Sequence, residues 1–171
     1  CGDRYCFAVG FAATLASERV SLLPSTLTRE VAAHLRTFAP DVFCLTDGRG
    51  EAFGLPSVIF PEDAAAPCVP FAPSAPSATP RIPEIPGDRT AAWLFTSGST
   101  GSPVPHRKTW GALAQSVRAE AALLGLLDGR RHALVGTVPA QHMYGFESTV
   151  LVALQSGGAL SSARPLFPAD I

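Results

Sequence analysis

Lysine is nearly missing from this chain. One occurs in 171 residues, Lys108, and every other fixed cation is arginine. Beside so much Ala and Pro, this reads as base-composition bias rather than chemistry. Charge of either sign is sparse: 16% of residues are charged, and the formal net charge is −1. No basic surplus marks a nucleic-acid partner, and no acidic run marks a solvating tail. The four cysteines, Cys1, Cys6, Cys44 and Cys68, form no C-x-x-C pair and have no histidine at ligand spacing. That pattern argues against a zinc site, and buried free thiols in a reducing cytoplasm are the expected state. No stretch offers about 18 consecutive apolar residues, so no membrane span is expected. The N-terminus has no basic start followed by an apolar stretch and a cleavage site. A cytoplasmic location is the expectation. The chain also begins abruptly, as if inside a fold, and residues are expected before Cys1.

What remains is apolar. The hydrophobic fraction is 47%, enough for a buried core, and the length fits one domain or a piece of a larger one. Residues 7–16 are rich in Ala and apolar groups and read as a buried helix. Residues 20–23 form a short apolar run ending at Pro24, suited to a strand. Thr28 is a plausible helix N-cap, and Val31, Leu35 and Phe38 then share one helical face that stops at Pro40. A second strand is predicted over 42–45, closed by the Asp47-Gly48 turn, and a third over 57–60. This alternation predicts α/β architecture, a mostly parallel sheet with helices on both faces.

Between 61 and 90 the character changes. Eight prolines fall there, mixed with Ala and Ser. Proline at that density removes helix and ladder donors, so an extended connector is expected. It divides a lead-in part, 1–60, from a second part of the same domain, 91–171. The second part opens with a strand over 91–95. A helix over 109–124 has Trp110, Leu113, Val117, Ala121 and Leu124 on one face. A strand over 133–138 follows, then a loop through Gly145, then a helix over 146–154 ended by Gly157-Gly158.

The informative string is Leu94-Phe95-Thr96-Ser97-Gly98-Ser99-Thr100-Gly101-Ser102-Pro103. An apolar strand runs into a loop of small residues and hydroxyls. Glycines let backbone approach a ligand, successive N–H groups form a concave anion site, and Ser/Thr hydroxyls add donors. That suits a polyphosphate. An ordinary Gly/Ser surface turn has the same composition, and most generic Gly-rich loops are that. A Walker loop fails, because Gly101 is followed by Ser102-Pro103 rather than Lys-Ser/Thr. A hydrolase nucleophile elbow fails too, because Gly98 and Gly101 are too close for Gly-x-Ser-x-Gly.

The string resembles the phosphate-loop signature of the adenylate-forming superfamily: acyl-CoA synthetases, aryl-CoA ligases, nonribosomal-peptide adenylation domains and luciferases. That signature runs hydrophobic-Thr-Ser-Gly-Ser/Thr-Thr-Gly-x-Pro-Lys, and every position but the last matches. A second motif of the family follows some distance on, as Pro139-Ala140-Gln141-His142-Met143-Tyr144-Gly145-Phe146 and then a helix and the small-residue turn Ser156-Gly157-Gly158-Ala159. The resemblance implies a fragment of the large N-terminal domain of such an enzyme. It implies ATP-dependent activation of a small carboxylic acid as acyl-adenylate, with pyrophosphate released. The acyl group then passes to CoA or to the phosphopantetheine of an acyl carrier protein. Thr96, Ser97, Gly98, Ser99, Thr100 and Gly101 would hold the β- and γ-phosphates, assisted by Mg2+. His142, with Tyr144 and Gly145, would border the acyl pocket; from the residues alone, without the motif, His142 reads first as a satisfied loop histidine.

One departure matters. Where the family has its loop lysine, this chain has Val104, and a hydrogen bond to a charged group contributes about 1.5–3 kcal/mol. Lys108, or Arg107 beside it, is the expected substitute; on a strand the two face opposite ways, so only one can serve. The alternative is a non-catalytic relative that keeps the fold as a carrier-protein or partner-binding module. The family's later acidic, ribose-binding and lysine motifs do not occur before Ile171. The fragment alone is not expected to complete a turnover.

Overall fold

The computed structural model describes residues 1–48, 50–60, 82–97, 103–163, 165 and 167–170. The expected connector lies outside the described residues except for 82–90.

Side-chain caps set the helix starts. Asp3 accepts from the N–H groups of Tyr5 and Cys6, at 2.8 and 3.1 Å, and opens helix α1 (Arg4–Ala16). Thr28 accepts from the Val31 N–H at 3.3 Å and opens α2 (Arg29–Phe38). Thr109 does the same for Ala112 at 3.4 Å and opens α3 (Trp110–Leu123). Each cap satisfies an N–H that the helix itself cannot.

Strand β1 (Ser21–Pro24) runs parallel to β4 (Thr90–Ser97), and β4 pairs antiparallel with β5 (Pro103–Thr109). Two smaller sheets stand apart: β2 (Cys44–Thr46) with β3 (Ser57–Ile59), and β6 (Ala133–Leu134) with β7 (Ala159–Leu160), both parallel. The fold is α/β, as expected. The described sheets are small and mixed rather than one mostly parallel sheet. The reason is the connection: residues 98–102 are too few for a crossover helix, and so short a link returns the chain antiparallel.

Alternation along β4 sends its side chains to two layers. Ala92 and Leu94 join the main core with Phe7 and Phe11 of α1 and Leu113 and Val117 of α3. On the other side, Trp93 and Phe95 meet Phe38 of α2 edge-on, at ring separations of 5.5 and 5.4 Å.

The helical run that begins within the second motif is compound. It begins as α4 (Met143–Gly145), widens to a π-helix (Phe146–Leu151) and finishes as α5 (Val152–Ser156). Gly157 ends it with φ +70, a left-handed conformation that favours glycine. Phe146 anchors this run in the core, fully buried and edge-on to Phe11 at 4.8 Å and to Phe7 at 6.0 Å.

Arg4 ties the two ends of the chain together. Its buried guanidinium donates to the carbonyls of Ser161 (3.2 Å), Ala163 (2.6 Å) and Gly136. Among the described residues, no helix is long and apolar enough to cross a membrane.

Candidate functional site

The strand that leads into the candidate phosphate loop is β4. Thr96 and Ser97 sit at its end and pair with Val104 and Pro103 at the start of β5. Gly98, Ser99, Thr100 and Gly101 lie outside the described residues. Thr96 is therefore the one loop residue whose side-chain partner is visible: its hydroxyl is 3.1 Å from the Nε2 of His106, and either group can donate. His106 was not among the residues read as candidates. Two-residue alternation along β5 could have found it, since Val104, His106 and Lys108 fall on one face.

The cations expected to stand in for the loop lysine are engaged elsewhere. Arg107 donates through Nε to the Thr90 hydroxyl (2.7 Å) and through its guanidinium to the Asp88 carbonyl (3.0 Å). Both partners are at the end of the hairpin away from the loop. Lys108 forms a 2.9 Å ion pair with Glu147, and both side chains are largely covered. At about 3.3 Å per residue, Lys108 also lies roughly 13 Å along the strand from Val104. Val104 itself is 44% exposed. Thr96 is the register partner of Val104, and His106 is the first polar side chain after Val104 along β5.

The second motif forms a tight turn. The His142 N–H donates to the Pro139 carbonyl (3.1 Å), and the His142 carbonyl accepts from the Phe146 N–H (2.8 Å). His142 thus occupies the N-cap position of α4 without capping through its side chain, which leaves the imidazole half-buried and available. Met143 and Tyr144 project outward, 50% and 67% exposed. Gly145 is buried where no side chain fits: a Cβ there would stand 2.2 Å from the Pro139 oxygen and 2.9 Å from the Val138 oxygen. Its helical φ of −64 makes this a demand of space, not of conformation.

Among the described residues, no hydrogen bond or ion pair joins Thr96 directly to this turn. Lys108 to Glu147 is a polar link between the strand pair and the compound helix, beside the core that Ala92 and Leu94 share with Phe146 and Val150. A cavity of about 570 Å3 lies instead between α1, β1, α2 and β2, and only Gln141 of the turn reaches its wall.

No family model matches the chain. Over 75 residues, 44% of this chain and 20% of that protein, it is 36% identical to a 4-coumarate–CoA ligase of Rhodobacter capsulatus. Two solved structures superpose over nearly its whole length. One is a malonyl-CoA ligase with methylmalonyl-CoA and AMP bound, at TM-score 0.71 and 21% identity, covering 96% of this chain and 34% of that one. The other is the o-succinylbenzoate coenzyme A synthetase of Bacillus subtilis with ATP and magnesium ion, at TM-score 0.67 and 19% identity, covering 94% and 33%. The fold is that of these CoA ligases. The likeness read from the sequence therefore extends to the fold. The chain spans about a third of the length of these ligases.

Proposed function

We propose that this chain is the nucleotide- and acid-binding part of the large N-terminal domain of an AMP-forming acid–thiol ligase. The observation that carries the reading is the hydrophobic strand running into Thr96-Ser97-Gly98-Ser99-Thr100-Gly101 within the fold of CoA ligases. In the proposed reaction a carboxylate oxygen attacks the α-phosphorus of ATP and pyrophosphate leaves. A thiolate of CoA, or of a phosphopantetheine carrier, then attacks the acyl carbonyl and AMP leaves with the bonding electrons and the carboxylate oxygen.

Residues 96–101 would hold the β- and γ-phosphates through backbone N–H groups and hydroxyls. Thr96 and His106 form a polar pair at that end of the hairpin that supports this role. Lys108, bound to Glu147, is not assigned to ATP. His142 would donate to the carboxylate and hold it in line, a positioning effect. Tyr144 would line the acid, and Gly145 would let the turn close over Pro139. Magnesium would neutralise phosphate charge. Among the described residues, no group of three carboxylate, thiol or imidazole ligands is placed for it, and no step here is routed through it.

Val104 favours a second reading, a relative that keeps the fold and binds a partner without catalysis. Carboxylic-acid-dependent exchange of labelled pyrophosphate into ATP, measured in the longest form of the protein that carries this chain, separates the two. Exchange that appears only with an acid supports the ligase. No exchange with a broad panel of aliphatic and aryl acids supports the partner-binding relative.

A further inference from the structure

Lys108 and Glu147 belong to the two different halves of the proposed site. Lys108 stands on β5, on the same strand face as Val104 and His106. Glu147 follows Gly145 by two residues and lies in the first turn of the π-helix. Three ion pairs occur among the described residues. One of the others, Arg89 with Glu18, has a carboxylate 76% exposed; the other, His132 with Asp128, is local. The side chains of Lys108 and Glu147 are only 27% and 18% exposed. Removing either charge leaves the other partly shielded from water and without this partner.

The helix it holds is the one that carries the acid-side turn. Phe146 fixes that helix against α1 from one side. The neighbouring residue, Glu147, fixes it to β5 from another. A π-helical stretch within a helix is rare and is frequently placed at a functional site. Here it starts one residue after Gly145, directly behind the turn.

We infer that Lys108–Glu147 is a positioning pair: it sets the His142–Gly145 turn against the β4–β5 hairpin, and so the acid against the nucleotide. The inference rests on the ligase reading above.

The test uses Lys108→Met, Glu147→Gln and the exchanged pair Lys108→Glu/Glu147→Lys, in the longest form of the protein that carries this chain. In pyrophosphate exchange, each single variant should raise KM for the acid about tenfold while KM for ATP stays within about twofold, and the exchanged pair should recover most of the loss. If the singles lose only thermal stability and keep both constants, the pair is merely structural and the inference is overturned. Failure of the exchanged pair to recover overturns it as well. If the wild-type protein shows no exchange with any acid, the ligase reading falls. The pair is then judged by amide hydrogen exchange: Lys108→Met should lower protection across 140–148 about tenfold while α3 keeps its own. Equal loss in α3, or no loss at all, contradicts it. Should Lys108→Met fail to fold, Glu147→Gln carries the same comparison.

Discussion

Alanine at Gly145 adds a single methyl group, and in an ordinary helix it would help. Glycine costs about 1 kcal/mol relative to alanine in a helix interior, and Gly145 has helical dihedrals. The structure reverses the sign. The new Cβ would meet the Pro139 oxygen at 2.2 Å, the Pro139 carbonyl carbon at 2.8 Å and the Val138 oxygen at 2.9 Å. All three are backbone atoms, so no rotamer change relieves the overlap. Overpacking of this kind costs about 1–3 kcal/mol, and this contact belongs at the upper end. Less the propensity gain, Gly145→Ala should lose about 1–2 kcal/mol, read as a lower urea midpoint at unchanged slope. The displaced carbonyl is the one that receives the His142 N–H, so the imidazole moves with it. Misplacement near 1 Å can cost up to about a hundredfold in rate, and the loss should fall on the acid rather than on ATP. A variant as stable as the parent, or about 1 kcal/mol more stable, would mean that the turn does not close on Pro139 and would refute the reasoning.

Three further outcomes are expected. His142→Ala should lower the specificity constant for the acid by about tenfold or more, equivalent to about 1.4 kcal/mol, with ATP affinity measured without acid nearly unchanged; collapse of ATP binding instead would move His142 to the nucleotide site. Val104→Lys should tighten ATP binding by about tenfold or more, since a charged hydrogen bond contributes about 1.5–3 kcal/mol; unchanged affinity in a titration would show that the position does not reach the phosphates. Asp128 is held below the usual carboxylate range first by the hydrogen bond with His132 and then by the Arg130 N–H. Its lowered pKa makes its contribution present above the unfolded carboxylate range and lost as pH falls through the folded value. Thermal melts of Asp128→Asn and wild type should therefore differ at neutral pH and converge in acid; a gap that widens in acid would contradict the assignment.

Much of this fold is legible where local signals agree. The helix expected over 109–124 is observed as Trp110–Leu123, because Thr109 caps it and Leu113, Val117 and Ala121 do bury one face. Leu124, placed on the same face, is instead the C-cap and 59% exposed, since the face ends where the helix does. The strand expected over 133–138 stops at Leu134. Gly136 gives its carbonyl to Arg4, a partner 132 residues away that no periodicity announces. The helix over 146–154 is right in kind, but its π turn is invisible to a count at 3.6 residues per turn. The site shows the same limit. Small donors before Pro103 and bulky groups around His142 are readable as chemistry, whereas the fates of Lys108 and Arg107 depend on Glu147, Thr90 and Asp88, which only the folded chain brings near.

In the proposed reaction a carboxylate becomes joined to the α-phosphorus of ATP. Heavy-oxygen labelling of the acid tests that bond directly. The protein carrying this chain is incubated with the labelled acid, ATP, magnesium and CoA, and the products are read by mass spectrometry. Adenylation leaves one carboxylate oxygen on the phosphate it attacked, so the account predicts label in AMP and none in inorganic phosphate or pyrophosphate. Label in inorganic phosphate, with ADP as the nucleotide product, would mean attack at the γ-phosphorus and would contradict the account.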